Sequence, residues 1–331
     1  MKNTNLLSLA LLLSLMFVSC KQDSSSSNQA GQDDKVEDIT IAMVTFPGYA
    51  PLYVAKEKGL FEGVNVDLRR IEDIGQMRGA IMSGQIDVYA ATYDIFQAIK
   101  GQKPPGVGFL AMDESHGGDG IAVAGEINSI ADFKGKKVAA EPGFPPYFIL
   151  QYLLAQADMS LKDVDFQDLA SQDAGNAFVT KQFDIVGTYE PYLSISADKR
   201  EGAKVLYSSK DTEGLVVDWL FANSEVVDTK PEALKAIAKG WFAALDFIES
   251  NPEEAYQIMG DAFGVSSDEM QDFKTGITWL DLASNKGMFK PGDKNAYAIF
   301  KEVGDVLERN DETDTRVEAK DHLTDKIVRD L

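Results

Sequence analysis

The sequence predicts an α/β protein of two similar lobes, and an internal repeat is the main reason. Residues 80–88 (AIMSGQIDV) are matched by residues 177–185 (AFVTKQFDI), and TYD at 92–94 is matched by TYE at 188–190. Each copy has the pattern of a helix end, a turn, a short apolar strand and the start of a second helix. The copies lie too far apart for a solenoid, whose repeats run roughly 20–50 residues. The repeat therefore favours two matching α/β lobes.

Strand and helix patterns alternate in the first third of the chain. Residues 39–44 form a β-branched, apolar run of strand length, and residues 64–71 alternate between apolar and polar side chains. Residues 51–61 between them have a helical pattern, with Gly59 near its end. The helix, strand and helix of the first repeat copy follow. This βαβαβ order predicts a mainly parallel sheet flanked by helices.

The second lobe has the same alternation. The loop 141–144 delivers Pro145 and Pro146 to a helix start, where proline is well tolerated. The strands that we expect in this lobe are 138–140, 166–169, 184–188 and 205–207.

Two extended segments are predicted to join the lobes. Residues 107–123 lead into the second lobe, with a polar interruption, and residues 215–221 lead back. The chain is helical in pattern from Pro231 onward, and we expect these helices to pack on the first lobe. The predicted limits are therefore 38–120 with 215–331 for lobe one, and 121–214 for lobe two.

Composition excludes several partners and sites. The 331 residues carry a formal net charge of −21, so a nucleic acid would be repelled over most of the surface. A hydrophobic fraction of 44% argues against a disordered chain. The single cysteine excludes disulfides within the chain and thiolate metal sites. We expect a monomer that holds no metal and no cofactor.

The N-terminus has the pattern of a bacterial lipoprotein signal. Lys2 precedes an apolar run at 6–18 that is too short for a transmembrane helix. The run is followed by Cys20, so residues 1–19 are predicted to be a signal peptide. Cys20 is predicted to be the lipidated residue, with palmitate among its acyl chains. Residues 20–37 are rich in serine and predict a flexible tether. An ordinary secretory signal with a chance cysteine is the alternative.

Four segments in order resemble one known group of proteins, the nitrate/sulfonate/taurine/thiamine-pyrimidine group of ABC-importer substrate-binding proteins. The resemblance spans roughly residues 39–289. The segments are 47–61 (PGYAPLYVAKEKGLF), 83–87 (SGQID), 132–138 (DFKGKKV) and 189–194 (YEPYLS).

This resemblance implies a two-lobed periplasmic-binding-protein fold of type II and a role in transport. Lobes of that kind close on a small ligand, and the closed form docks on a membrane permease with its ATPase subunits. Together with Cys20, the resemblance implies a location in the cell envelope, with the protein lipid-anchored and facing the periplasm or the exterior.

Residues at the carboxyl ends of strands are the candidates for ligand contact, because ligands bind there in open α/β sheets. Asp119, in the first crossover, is a further candidate. For Asp94 and Glu190 a second interpretation stays open, in which the carboxylate only stabilises a helix N-terminus. The candidates are Phe46, Tyr49, Thr92, Tyr93, Asp94, Glu141, Phe144, Thr188, Tyr189, Glu190, Asp218 and Trp219.

The candidate residues favour a neutral or cationic ligand, such as a pyrimidine or an amine. The loop 141–146 contains three prolines and Glu141, so it offers few N–H donors and a repelling charge to an anion. Aromatic rings with carboxylates suit a cation. Arg78 lies in the helix before the first repeat copy and is a basic side chain that could reach the cleft. An anion such as nitrate, taurine or an alkanesulfonate is the alternative ligand.

Two other classes of protein are alternatives. Enzymes use the same architecture, including one of thiamine-pyrimidine synthesis. This chain, however, has only His116 and His322 and lacks the G-x-S-x-G, P-loop and H-E-x-x-H motifs. A surface lipoprotein that binds a protein or polymer would need an exposed apolar patch. We therefore predict a binding protein with no catalytic residues.

Overall fold

Two β-sheets flanked by helices organise the chain in this computed structural model, which describes residues 36–212, 214–292 and 295–331. The strands are β1 (Glu37–Met43), β2 (Val64–Arg70), β3 (Val88–Thr92), β4 (Val107–Ser115), β5 (Asp119–Val123), β6 (Lys137–Ala140), β7 (Asp165–Asp168), β8 (Ile185–Tyr189), β9 (Lys204–Ser208), β10 (Val217–Ala222) and β11 (Ile277–Trp279).

The helices flank both sheets and dominate the C-terminal third. They are α1 (Ala50–Glu57), α2 (Ile74–Met82), α3 (Tyr93–Gln97), α4 (Pro145–Gln156), α5 (Ser171–Val179), α6 (Tyr192–Lys199), α7 (Ser224–Thr229), α8 (Pro231–Ser250), α9 (Pro252–Phe263), α10 (Ser267–Lys274), α11 (Leu282–Met288), α12 (Ala296–Arg309), α13 (Ala319–His322) and α14 (Lys326–Arg329).

Each sheet is mixed. The first has the order β11-β4-β10-β3-β1-β2, in which β2, β1 and β3 are parallel and the other pairings are antiparallel. The second has the order β7-β6-β8-β5-β9, with β7, β6 and β8 parallel and β5 antiparallel to both its neighbours. The fold class is as predicted: each sheet contains a parallel set of three strands, and antiparallel pairings complete it. The crossover strands β4, β5 and β10 each run antiparallel to the strands beside them.

The repeat copies fold alike. In the first copy Gly84 has φ +72°, and in the second Lys181 has φ +63°. Each left-handed residue ends a helix, and the next residue's N–H donates back into it, from Gln85 to the Ala80 carbonyl and from Gln182 to the Ala177 carbonyl, both at 2.9 Å. This is the usual way a helix ends before a strand. The following strands, β3 and β8, lie inside their sheets beside β1 and β6.

The start of the folded region is earlier than predicted. Strand β1 begins at Glu37, within the residues assigned to the tether and two residues before the predicted start. The signal peptide, Cys20 and the tether up to residue 35 lie outside the described residues. The limits of the two lobes stay a prediction. None of the helices described has the length and apolarity needed to cross a bilayer.

The largest hydrophobic core joins the first sheet to the C-terminal helices. Trp241 of α8 is fully buried, and its Nε1 donates to the Leu280 carbonyl at 3.2 Å. Phe300 of α12 packs edge-on against Tyr93 of α3. The C-terminal helices therefore form part of the structure around the first sheet.

Candidate functional site

The carboxyl ends of strands from both sheets meet around a small internal space, which we call the inner cavity. Its volume is about 20 Å³, room for one or two water molecules. Residues of the first sheet's half face Tyr189, at the end of β8, and residues that follow β6. The lining is Val44, Thr45, Phe46, Tyr49, Ile95, Asp119, Phe144, Pro145, Tyr189 and Asp218.

A larger space, the outer cavity, lies next to the inner one. Its volume is about 430 Å³, within the range of small-molecule pockets. Thr45, Phe144 and Tyr189 line both cavities, so the two are adjacent and share a wall; together we call them the cleft. The outer lining is Thr45, Pro47, Glu72, Glu141, Phe144, Ala170, Ser171, Gln172, Tyr189, Glu190, Pro191, Tyr192, Phe263, Val265 and Phe273.

Aromatic rings form the walls of the cleft. Phe46 meets Tyr49 edge-on, with centroids 5.4 Å apart. Phe144 stacks on Tyr189 at 6.1 Å, and Tyr189 meets Tyr192 edge-on at 5.8 Å. Tyr189 therefore connects the rings of the inner cavity to those of the outer one. Faces of this kind attract cations and apolar groups.

Four buried aspartates, which we call the acid cluster, lie in and behind the inner cavity. Asp113 is 0% exposed, Asp119 and Asp218 are each 2% exposed, and Asp94 is 3% exposed. Asp119 and Asp218 line the cavity. Buried carboxylates are uncommon unless they are paired with donors or cations.

Strand register explains why two of these acids are adjacent. Asp218 of β10 lies opposite Asp113 of β4 on one side and Thr92 of β3 on the other. Tyr49 donates its hydroxyl hydrogen bond to Asp218. The backbone of Gly48 packs on Asp113 so closely that a Cβ there would lie 2.4 Å from Oδ2. A side chain at position 48 would therefore displace the carboxyl group.

Several polar atoms of the acid cluster have no hydrogen-bond partner among the described residues. They are both carboxyl oxygens of Asp113, Oδ2 of Asp119 and Oδ1 of Asp94. A buried acceptor without a donor is costly and is rare in folded proteins. Asp119 lines the inner cavity, so its Oδ2 suits a molecule that brings an N–H or O–H donor there.

Burial raises the pKa of every member of the acid cluster. The pKa of Asp94 rises to about 6 and that of Asp119 to about 7, in the latter case with repulsion from Asp94 and Glu190 adding to the effect of burial. Burial, with repulsion from Asp218, raises the pKa of Asp113 well above its usual value. Burial also raises the pKa of Asp218, despite the hydrogen bond from Tyr49. These acids accept a nearby positive charge readily, because it would stabilise their ionised forms.

The helix N-termini around the cleft are occupied by the chain itself. Pro51 stands in the first turn of α1, and Pro145 and Pro146 begin α4; proline has no N–H to donate. Glu141 accepts a hydrogen bond from the Ser171 N–H at the start of α5, at 2.7 Å. Glu190 accepts from both the N–H and the hydroxyl of Ser194 in α6, at 3.2 and 2.6 Å.

Arg78 lies outside both linings. Its guanidinium group donates to the carbonyl of Ile95 in α3. Its positive charge lowers the pKa of Asp94, but the opposite effect of burial is larger. Among the described residues, neither lining contains a lysine or an arginine. Nor do the described residues contain three His, Cys, Asp or Glu side chains placed to hold a metal ion.

The structure brings eight of the twelve predicted residues together and leaves four in the core. Thr92, Tyr93 and Trp219 are buried away from the cleft, with Tyr93 stacked on Trp219 at 5.5 Å. The Thr188 hydroxyl donates to the Ser171 carbonyl at 3.0 Å. Asp94 belongs to the acid cluster. The other seven, which line the cavities, are Phe46, Tyr49, Glu141, Phe144, Tyr189, Glu190 and Asp218.

Sequence reasoning missed several residues of the cleft. Asp113 falls in the polar interruption that the sequence predicts at residues 113–119 of the first crossover, yet it is the seventh residue of strand β4. Its position opposite Asp218 depends on strand pairing between distant segments, which no local pattern shows. Among the others missed are Glu72, Ser171, Tyr192, Phe263 and Phe273.

Two sheets with a cleft between them define a periplasmic-binding-protein fold, and comparisons with known proteins agree. The chain matches the NMT1/THI5 like family over residues 46–255 and belongs to that family. A protein of Brucella abortus (strain 2308) named as a binding protein is 26% identical over 210 residues, 62% of this chain. The match covers 65% of that relative's length.

Solved structures show the same fold. The periplasmic aliphatic sulphonate binding protein SsuA from Escherichia coli superposes with a TM-score of 0.71 at 21% identity, over 87% of this chain and 92% of that one. The periplasmic nitrate-binding protein NrtA from Synechocystis PCC 6803 superposes with a TM-score of 0.66 at 16% identity, over 89% and 88%.

Proposed function

We propose that this protein is the solute-binding component of an ABC importer and that it captures a small organic cation with an amine group. The observation that carries the proposal is the inner cavity, a water-sized space lined by acids and aromatic rings. An ammonium group is close to water in size and carries three N–H donors. It would give Asp119, which lines this cavity, a donor for the Oδ2 that lacks a partner among the described residues.

The cleft also disfavours an anion. Anions commonly bind at helix N-termini, but Glu141 and Glu190 already accept hydrogen bonds there in α5 and α6. A nitrate or sulfonate group would meet these negative charges without a lysine or arginine in the described lining. The names of the structural neighbours, a sulphonate and a nitrate binder, nevertheless make an anion the second candidate.

Ligand capture would follow from the position of the cleft between the sheets. Asp218 belongs to the first sheet and Asp119 to the second. In the ligand-free protein, the acids that do ionise would repel one another, which favours an open arrangement. A cation held by both acids stabilises the closed form selectively, so its binding shifts the equilibrium toward closure.

The predicted partners and the predicted location at the cell envelope are consistent with this role. We propose that a permease and its ATPase subunits receive the closed form, and that a lipid on Cys20 holds the protein at the cell envelope. The name of the Brucella relative supports a binding protein and gives no support to the enzyme alternative.

A thermal-shift screen of the full chain tests the proposal. Butylamine, pentylamine, taurine, nitrate and a free pyrimidine would be compared at matched ionic strength. A ligand at about 100 times its Kd adds roughly 2.7 kcal/mol to the free energy of unfolding. We expect a shift with the amines. Shifts with taurine or nitrate alone would contradict the proposal and favour the anion candidate.

A further inference from the structure

The outer cavity has a charge pattern of its own. Glu72, Glu141 and Glu190 line it, and the described lining contains neither lysine nor arginine. An amine whose head lies in the inner cavity would extend its body past Phe144 and Tyr189, which belong to both linings, into this second acidic space.

These outer carboxylates keep room for further donors. Glu141 accepts one hydrogen bond, from the Ser171 N–H. Glu72 accepts two, from the N–H and hydroxyl of Thr45 at 3.0 and 2.5 Å. A carboxylate offers about four acceptor sites, so each side chain can serve its structural partner and still accept an N–H from a ligand.

A buried hydroxyl provides independent evidence for a ligand in the outer cavity. Ser171 lines this cavity and is 2% exposed, and its Oγ has no hydrogen-bond partner among the described residues. A hydroxyl oxygen accepts hydrogen bonds as well as donating them. Ser171 Oγ and the adjacent Glu141 carboxylate together form a suitable receptor for an ammonium or amidinium group.

Resting on the function proposed above, we infer that the ligand is a dication, with two cationic groups joined by an apolar spacer. The inner group binds Asp119 and Asp218. The outer group binds near Glu141, Glu72 and the Ser171 hydroxyl. The spacer lies along the rings of Phe144 and Tyr189, which stack on apolar chains and attract the charges at both ends.

Isothermal titration of the full chain with matched pairs of amines tests this inference. Putrescine is compared with butylamine, and cadaverine with pentylamine. We expect each diamine to bind at least about tenfold more tightly than its monoamine, the effect of one added charge-assisted hydrogen bond. The double variant Glu72→Gln with Glu141→Gln should remove that advantage, so that diamine and monoamine bind it with affinities within about twofold of each other. Glutamine keeps an acceptor oxygen for Thr45 and Ser171.

Glu249→Gln is the control, because Glu249 is exposed on α8 and away from both linings. Equal affinity of diamine and monoamine for the unmodified protein would overturn the dication and leave the amine-binding function intact. Binding of neither amine would overturn both. Since this comparison uses the unmodified chain, it decides the matter even if a variant fails to fold.

Discussion

At the scale of single residues, acids near the cleft differ in what they already bind. Both oxygens of Glu190 accept hydrogen bonds from Ser194, as expected for a residue that stabilises the start of a helix. Asp119 lines the inner cavity, and its Oδ2 has no partner among the described residues. Asp119 is therefore the stronger candidate for direct contact with a ligand.

Asp119→Asn should weaken butylamine binding by at least about 30-fold, because losing one member of a buried charge pair costs about 2 kcal/mol or more. Glu190→Gln should have a much smaller effect. Isothermal titration measures both, with Asp246→Asn on the exposed surface of α8 as the control. An equal loss in the Asp119 and Asp246 variants would contradict the assignment.

The raised pKa values of Asp94 and Asp119 predict opposite pH trends for stability and binding. Their pKa values, about 6 and 7, exceed the usual 3.8. Between about pH 4 and pH 7 the ligand-free fold therefore binds more protons than the unfolded chain does. Its free energy of unfolding should therefore fall as the pH rises from about 4 to 7. Amine affinity should rise over the upper part of that range, as the two acids ionise.

Chemical denaturation and isothermal titration at a series of pH values check these trends. Asp119→Asn should flatten both curves, whereas Asp246→Asn should leave them unchanged. An amine affinity that does not change with pH would show that the acid cluster does not ionise on binding.

At the scale of elements, the cleft depends on helix N-termini that the chain itself occupies. In α5, which begins at Ser171, the N–H of that residue donates to Glu141 rather than to a ligand. A free helix N-terminus is a general anion site. The identity of residue 141 should therefore influence which charge the outer cavity accepts.

Glu141→Ala should free the Ser171 N–H and remove one negative charge from the outer cavity. We expect weak binding of taurine or sulfate to appear, while monoamine binding in the inner cavity persists. The measurement is a thermal shift with each anion, and Glu249→Ala is the control. No anion effect in the Glu141 variant would show that this helix end does not select against anions.

Much of the fold was predictable because it depends on local patterns. The repeat gave matching turns at Gly84 and Lys181, each followed by a strand. The aromatic walls formed by Phe46, Tyr49 and Phe144 were found because they follow strand ends. The antiparallel strands were not predicted, since the pattern of a strand is independent of the direction in which its neighbour runs.

The site was predictable only where a residue's role follows from its position along a strand. Tyr93 and Tyr189 occupy the same place in the repeat, yet Tyr93 packs on Trp219 in the core while Tyr189 lines the cleft. Helix α12 covers the first of these positions, with Phe300 against Tyr93. That difference depends on packing by residues more than 200 positions away and has no local signal.

At the scale of the whole molecule, a contact outside the cleft joins the two halves. Glu312, which follows α12, accepts hydrogen bonds from Tyr147 and Gln151 of α4 at 2.6 and 3.0 Å. Helix α4 packs on the second sheet, and α12 packs on α3 beside the first. The contact should therefore stabilise the arrangement in which the cleft is narrow.

Glu312→Ala should weaken amine binding by about three- to tenfold, the effect of one or two lost hydrogen bonds. The variant should also be more extended without ligand, because its closed form is less stable. Titration measures the first effect and small-angle X-ray scattering the second, with Glu249→Ala as the control. Unchanged affinity and unchanged dimensions would show that the contact does not influence closure.

The charge of the ligand distinguishes the amine from the anion, and titration calorimetry measures which of them binds. Butylamine, taurine and nitrate would each be titrated into the full chain at about pH 6.5, in two buffers with different enthalpies of ionisation. We expect butylamine to bind with a heat that depends on the buffer, because the acid cluster releases protons as the cation enters. We expect no binding of taurine or nitrate. Binding of either anion with no heat from butylamine would contradict the account.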